Sequence, residues 1–163
     1  MLLKTRQDYS ERSEIRNKAI RLFMENTGRL YSEPGCLNID LNNNDYFFSI
    51  TMKQARSQGI NYMKVFCYDF VIAELGKERN RFPDFLVHDS TIFDGVDERQ
   101  VSEALKLALE KCNKKKLQYI CLMNSDNVPY SEFSSSFNNE FTSNVVLRIS
   151  DENEEGCLLG MKF

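Results

Sequence analysis

The chain has 163 residues, of which 42% are hydrophobic and 28% charged, which is enough to build one hydrophobic core. Its formal net charge of −3 supplies no basic surface for binding DNA or RNA on its own. The sequence predicts neither a signal peptide nor a membrane span, since the N-terminal segment turns polar after three residues and no apolar run approaches the roughly 20 residues that a bilayer requires. We therefore expect a cytoplasmic protein with no membrane partner.

The first half of the chain predicts a helix, a hairpin and a second helix. From Leu3 to about Thr27, apolar residues recur at helical spacing among many charges. Two strand-like runs follow, CLNIDL and DYFFSITM, and the asparagines between them predict a hairpin turn. INYMKVFCYDFVIAELGKE is too apolar for a surface helix and predicts a mostly buried one.

The second half alternates apolar strands with helices. FLVHD and LQYICLM are predicted strands, and the helix between them runs from Asp97 to about Lys115. A weakly helical or irregular segment follows Pro129, and SNVVLRIS with GCLLGMKF predicts a closing hairpin. The predicted fold is α/β, with a partly parallel sheet flanked by helices and a β-hairpin before the first buried helix and at the C-terminal end.

Five cysteines are present without any C-x-x-C pair, so the sequence indicates neither a disulfide framework nor a zinc site. We expect all five to be reduced and to act as small hydrophobic residues. They are Cys36, Cys67, Cys112, Cys121 and Cys157.

Polar clusters follow both apolar strands. Two such strands separated by one helix are expected to form a parallel β-α-β unit, and ligands of parallel sheets bind at the carboxyl ends of the strands. His88-Asp89-Ser90 follows the first strand and Asn124-Ser125-Asp126 follows the second. We expect the two clusters to lie side by side if the strands are neighbours.

The chemistry of the first cluster is restricted by its spacing. Consecutive residues of a strand point to opposite faces, so His88, Asp89 and Ser90 do not form a hydrolase triad. No glycine-rich phosphate loop of the G-x-G-x-x-G or G-x-x-x-x-G-K-[ST] type occurs. An aspartate at the end of an apolar strand suits a magnesium ion, and the alternative is that Asp89 caps the next turn.

Ser57-Gln58-Gly59 opens the long buried helix. A hydroxyl and a small residue at a helix N-terminus suit a phosphate group, and the alternative is an ordinary helix cap.

The order of these motifs resembles the C-terminal half of an ABC-type ATPase head. The resemblance is to the SMC-like branch, and within it to a family of unknown function at the C-terminal end of bacterial SMC-like ATPases, some of them in defence-type operons. It rests on YSEPGCLNIDL, SQGINYMKVFCYDF, FLVHDSTIFDGVDERQ, LQYICLMNSD and ENEEGCLLGMKF. It implies an ATPase-head lobe over 31–163, with 1–30 as a helix that ends a coiled coil.

The resemblance implies roles for residues of the long helix and of the first strand. Ser57 and Gly59 are similar to the signature motif, although Gln58 stands where a glycine is usual. Asp89 is similar to the Walker B aspartate that orders Mg²⁺. Ser90 stands where the family has a catalytic glutamate, so the site is expected to bind nucleotide better than it cleaves it.

The resemblance also covers the segments after the two strands. Asp97, or alternatively Asp94, is similar to the aspartate of the D-loop at the head dimer interface. Asn124, Ser125 and Asp126 lie where the family has a switch histidine, which is absent here. We interpret His88 as a packed core residue, with a functional role as the alternative.

The implied partners follow from the missing phosphate loop. The chain is expected to need a P-loop-bearing N-terminal lobe and a second head before ATP and Mg²⁺ are held, and to hydrolyse no ATP alone. DNA is a partner of the full assembly only. One alternative is a metal-dependent phosphoesterase or nuclease that uses Asp89, Asp94 and Asp97. Another is an interaction module with the same fold and no catalysis.

Overall fold

The computed structural model describes residues 2–42, 45–53, 57–150 and 156–157. They divide into two compact units, one comprising 1–129 and the other 130–163. The described part of the chain has a mixed α/β fold with an antiparallel hairpin and a small parallel sheet. None of its helices is both long enough and apolar enough to cross a membrane.

The larger unit begins with two helices, α1 (Leu2–Glu11) and α2 (Ser13–Leu30). The sequence predicted one helix from Leu3 to about Thr27 within the region 1–30, and the interruption near its middle was not predicted. The backbone breaks at Arg12, and α2 continues to Leu30. Leu30 is buried, so packing of its side chain extends the helix past a residue of low helix propensity.

The predicted first hairpin is confirmed. Strand β1 (Cys36–Asn42) pairs antiparallel with β2 (Asp45–Thr51), with Leu37 opposite Ile50. Alternation of side chains places Leu37 on the face that packs against α2, where it is almost fully buried. The hydroxyl of Tyr9 on α1 donates to the carbonyl of Ile39 at 3.1 Å, which ties α1 to the hairpin.

The β-α-β unit is also confirmed. Helix α3 (Gln58–Glu78) precedes β3 (Phe85–His88), and α4 (Glu98–Lys115) connects β3 to β4 (Gln118–Cys121). The two strands are parallel neighbours. Lys116 ends α4 with a φ of 54°, the left-handed conformation common at helix C-termini.

The core of the larger unit lies between α2, α3, α4 and one face of the β3–β4 sheet. It is rich in aromatic rings, and the Phe66 and Phe70 ring centroids are 4.9 Å apart. Close packing of such rings supplies much of the apolar burial. Its fully buried large side chains include Phe23, Met63, Phe66, Phe70 and Val71.

The smaller unit contains α5 (Ser135–Ser143), where the sequence predicted a weakly helical or irregular segment. Ser134 caps it by accepting a bond from the amide of Phe137 at 3.3 Å. Of the predicted closing hairpin, the described residues 143–150 and 156–157 form no strand, and the rest of the second strand lies outside the described residues. One backbone bond, from Ser150 N to Gly156 O at 2.9 Å, spans the predicted turn.

Candidate functional site

The candidate site is the edge of the sheet where β3 and β4 end. The register pairs His88 with Cys121, so the two strands end at the same level. The amide of Leu122 donates to the carbonyl of His88 at 3.0 Å. The segments that begin at Asp89 and Asn124 therefore leave the same edge of the sheet, as the sequence predicted.

Asp89 caps the turn that follows β3. Its Oδ1 accepts bonds from the amide of Thr91 at 2.8 Å and from the Thr91 hydroxyl at 2.5 Å. The hydroxyl bond first and the amide bond second hold the pKa of Asp89 below its usual value, so the carboxylate is charged at neutral pH. The capping alternative is thus observed, and both bonds fall on one oxygen of the carboxylate.

Ser90 is the first residue of a short 3-10 helix, Ser90–Phe93. Helix α3 packs against this 3-10 helix, and the ring centroids of Phe66 and Phe93 are 6.3 Å apart. Ile92 and Phe93 are buried, while Asp89 is exposed. The apolar side of the turn thus fixes its path and leaves Asp89 facing solvent.

The start of α3 meets the loop that follows this 3-10 helix. A Cβ at Gly59 would lie 2.3 Å from the carbonyl oxygen of Gly95, a distance that no side chain tolerates. Gly95 itself has a φ of 66°, which glycine adopts at little cost. The structure therefore brings Ser57-Gln58-Gly59 together with the loop that carries Asp94 and Asp97.

Ser57 occupies the N-cap position of α3, and its side chain makes no capping bond. Asp97 is the N-cap of α4 and accepts a bond from the amide of Arg99 at 3.1 Å. Asp94 and Asp97 are both exposed. The hydroxyl of Ser57 is thus not used in helix capping, whereas Asp97 already has a structural task.

A second short 3-10 helix, Ser125–Asn127, follows β4. Asn124 is its N-cap, and Ser125 and Asp126 are its first two residues. All three side chains are exposed, and Ser125 donates to Asp126 at 3.5 Å. The bond joins two exposed neighbours, so these residues are accessible beyond the end of β4.

His88 is packed on the inner face of the sheet, as interpreted from the sequence. Its Nε2 lies 3.0 Å from Asp69 Oδ2, and its Nδ1 lies 3.1 Å from the Tyr119 hydroxyl. Burial raises the pKa of Tyr119, so its hydroxyl keeps its proton. An imidazole that donates to Asp69 and accepts from Tyr119 satisfies all three groups.

Sequence reasoning missed Asp69 and Tyr119. The available signal for Asp69 was a single carboxylate inside the apolar run FCYDFV of the buried helix. A charged residue there requires a partner, and the only histidine of the chain was the obvious candidate.

A metal centre built from side chains alone is not found in the described ranges. Within them, no group of three His, Cys, Asp or Glu residues lies close enough to hold an ion. Asp89, Asp94 and Asp97 therefore do not form the cluster that the phosphoesterase alternative requires. A single exposed carboxylate at Asp89 suits an ion whose remaining ligands come from phosphates and water.

Comparison with known proteins identifies a family. No curated protein matches the chain. The family model described as "Uncharacterised protein conserved in bacteria (DUF2326)" matches residues 26–163, which contain both polar clusters and the start of α3. The chain therefore belongs to the DUF2326 family of bacterial proteins.

Proposed function

We propose that the chain is the C-terminal lobe of an SMC-like, ABC-type ATPase head and contributes to a composite ATP site. In this proposal Ser57 and Gly59 act as the signature motif, Asp89 as the Walker B aspartate, and Asp97 as the D-loop aspartate. ATP and Mg²⁺ are held only after a P-loop-bearing lobe and a second head join the chain. DNA, if bound, is bound by the full assembly.

The observation that carries the proposal is the bare outer face of the β3–β4 sheet. Its apolar side chains are 39–50% exposed, although parallel sheets are normally covered on both faces. Within the described residues the sheet has only two strands. A second lobe that adds strands and covers this face would complete it. The exposed side chains are Phe85, Val87, Ile120 and Leu122.

The contact between Gly59 and Gly95 gives a second argument. Residues 57–59 lie beside the loop that leads to Asp97. In the proposed assembly these two segments are the signature motif and the D-loop, and both lie at the interface between heads. Ser57 is exposed and its hydroxyl is not used as a helix cap, so it is accessible to a phosphate from the opposite head.

Ser90 favours a second candidate, an interaction module with the same fold and no catalysis. A serine cannot take a proton from water as a glutamate does, and Asn124-Ser125-Asp126 supplies no histidine. The two candidates differ in nucleotide dependence. A catalytic lobe associates with its P-loop partner more tightly when ATP is present, whereas a module without catalysis associates equally with and without it.

The test combines this chain with the P-loop lobe encoded upstream or in a neighbouring gene, and measures phosphate release. The chain alone is expected to release none, and the mixture is expected to hydrolyse ATP slowly. Asp89→Ala should abolish that activity, because the carboxylate orders the magnesium ion. Asp45→Ala is the matched control, since Asp45 is an exposed aspartate of the hairpin. Hydrolysis by the isolated chain, lost in Asp89→Ala, would refute the composite site.

A further inference from the structure

A polar network lies inside the aromatic core of the larger unit. The His88 imidazole lies 3.0 Å from Asp69 of α3 through Nε2, and 3.1 Å from the Tyr119 hydroxyl of β4 through Nδ1. Aromatic rings surround these bonds. The Phe66 ring centroid is 5.6 Å from that of His88, and the Phe70 ring centroid is 5.4 Å from that of Tyr119. Polar bonds therefore join three elements at a place that apolar packing already fills.

The three elements joined by this network are those that lead to the candidate site. Helix α3 begins within the Ser57-Gln58-Gly59 segment, β3 runs directly into Asp89, and β4 leads to Asn124. His88 is the residue before Asp89, and its carbonyl accepts from the amide of Leu122 at 3.0 Å. The network is thus a junction between the three segments that the proposed function brings to ATP.

Stability alone does not explain why this junction is polar. Replacing both partners of a buried hydrogen bond by apolar groups of similar shape is often neutral or stabilising. The side chain of Asp69 is 34% exposed, so water could solvate its carboxylate without any help from His88. A hydrogen bond differs from apolar packing in having a defined length and direction. The network is therefore better explained by position than by stability.

Helix α3 is the element whose position such a bond would define. It has apolar side chains on nearly every side, and even its exposed face includes Val65 and Ile72, which are 48% and 43% exposed. A single polar residue can set the register of an otherwise apolar helix interface. Among the described residues, the Asp69–His88 contact is the only side-chain hydrogen bond between α3 and the β3–β4 sheet. It therefore sets the register of α3 against the end of β3.

We propose that His88 is a positioning residue of the ATP site proposed above, on which this inference rests. Through Asp69 it holds α3 in register with the end of β3, so that Ser57 and Asp89 keep a fixed separation. His88 itself touches neither ATP nor Mg²⁺. Its effect falls on the chemical step, because an error of about 1 Å in the position of a reacting group can cost about 100-fold in rate.

The single histidine of the chain allows the network to be tested without any partner. A ¹H–¹⁵N spectrum of the ring nitrogens contains signals from His88 alone. In the neutral imidazole, the proton should be on Nε2, which donates to Asp69, and Nδ1 should accept from Tyr119. Asp69→Asn keeps an acceptor oxygen and should show the same tautomer. A proton on Nδ1 in the wild type would overturn the proposal.

The second test measures ATP hydrolysis by the chain mixed with the P-loop lobe. Asp69→Ala removes the acceptor and should lower kcat about tenfold, with the KM for ATP unchanged because no group that binds ATP is altered. Asp69→Asn should recover most of the wild-type kcat. Val65→Ala, one turn earlier on the exposed side of the same helix, is the control and should leave kcat and KM unchanged.

A double variant tests His88 directly. His88→Leu combined with Tyr119→Phe removes the network from the sheet without leaving a buried polar group unpaired. It should unfold at a urea concentration close to that of the wild type and should lower kcat by about the same factor as Asp69→Ala. A folded double variant with the wild-type kcat would overturn the proposal.

The remaining outcomes separate this inference from the proposed function. No hydrolysis by the wild-type mixture would refute the proposed function, and this inference with it. Hydrolysis by the wild-type mixture together with an undiminished kcat in Asp69→Ala would overturn this inference alone. Equal losses in Asp69→Ala and Asp69→Asn would also overturn it, because they would assign the effect to the charge of Asp69 rather than to its bond with His88.

Discussion

Both faces of the β3–β4 sheet carry apolar side chains, but one face is buried and the other is exposed. On the inner face, His88 is 8% exposed and Tyr119 packs against Phe66 and Phe70. On the outer face, Val87 and Ile120 sit opposite each other and are 45% and 39% exposed. The inner face is completed by the chain's own helices. The outer face has the composition of a buried surface, which is why we propose that a second lobe covers it.

The largest expected effect contrasts one phenylalanine from each face. Phe66→Ala removes a fully buried ring of the inner side and should cost about 3–5 kcal/mol of unfolding free energy. Phe85→Ala removes a ring that is 48% exposed and should cost less than about 1 kcal/mol. Urea unfolding of the two variants measures both values. Equal losses of unfolding free energy would show that the two faces contribute equally to the stability of the isolated chain.

A buried ion pair between the helices gives the next effect: Lys111 of α4 donates to Glu74 of α3, and the two residues are 9% and 3% exposed. Lys111→Met leaves Glu74 with Lys115 at 3.9 Å as its nearest cation, and should cost about 3 kcal/mol. The double variant Glu74→Leu with Lys111→Met removes both charges and should recover most of that loss. Denaturant unfolding of the single and double variants provides the measurement. A double variant as unstable as the single one would contradict an unpaired charge as the cause.

A substitution on the outer face should separate binding from stability. Val87→Thr combined with Ile120→Thr keeps β-branched side chains, so the unfolding free energy should change by less than about 1 kcal/mol. Association with the P-loop lobe should weaken at least about tenfold, because the apolar contact is lost. Calorimetric titration with that lobe measures the second quantity. Wild-type affinity in this variant would place the interface elsewhere.

The smallest expected effect concerns how the stability of the fold depends on pH. Hydrogen bonds from Lys115 first and from Lys18 second lower the pKa of Glu78 below 4.5. A carboxylate with a lowered folded pKa stabilises the fold above the unfolded value and loses that contribution as the pH falls through the folded value. Glu78→Gln should therefore reduce stability by up to about 1 kcal/mol at pH 7 and by almost nothing near pH 2. Thermal unfolding at the two pH values tests this, and an equal loss at both would exclude charge as the reason.

Local sequence patterns predicted the strands of the parallel sheet and the helix between them. The apolar runs FLVHD and LQYICLM gave the parallel strands, and the periodicity from Asp97 to Lys115 gave α4 almost residue for residue. The break at Arg12 was not predictable in this way, because the charges and apolar spacing continue through it. The sequence also does not reveal contacts between residues that lie far apart along the chain.

The candidate site shows the same limit. The sequence placed Asp89 and Asn124 at one edge of the sheet, because strand order and parallel pairing determine that. It could not show that Gly59 contacts Gly95, nor that His88 lies between Asp69 and Tyr119, because these contacts join residues on different elements. For Asp89 it left capping and magnesium binding open. The capping bonds are now observed, and the magnesium role stays a prediction.

The most direct test of the central claim is hydrogen–deuterium exchange across β3 and β4, with and without the P-loop lobe and ATP. The account predicts slower exchange in 85–88 and 118–121 when the lobe is added, because new strands and a covered face protect those amides. It also predicts slower exchange at the start of α3 only when ATP is present. Unchanged exchange in both strands with the lobe bound would contradict the claim that this sheet is half of a shared one.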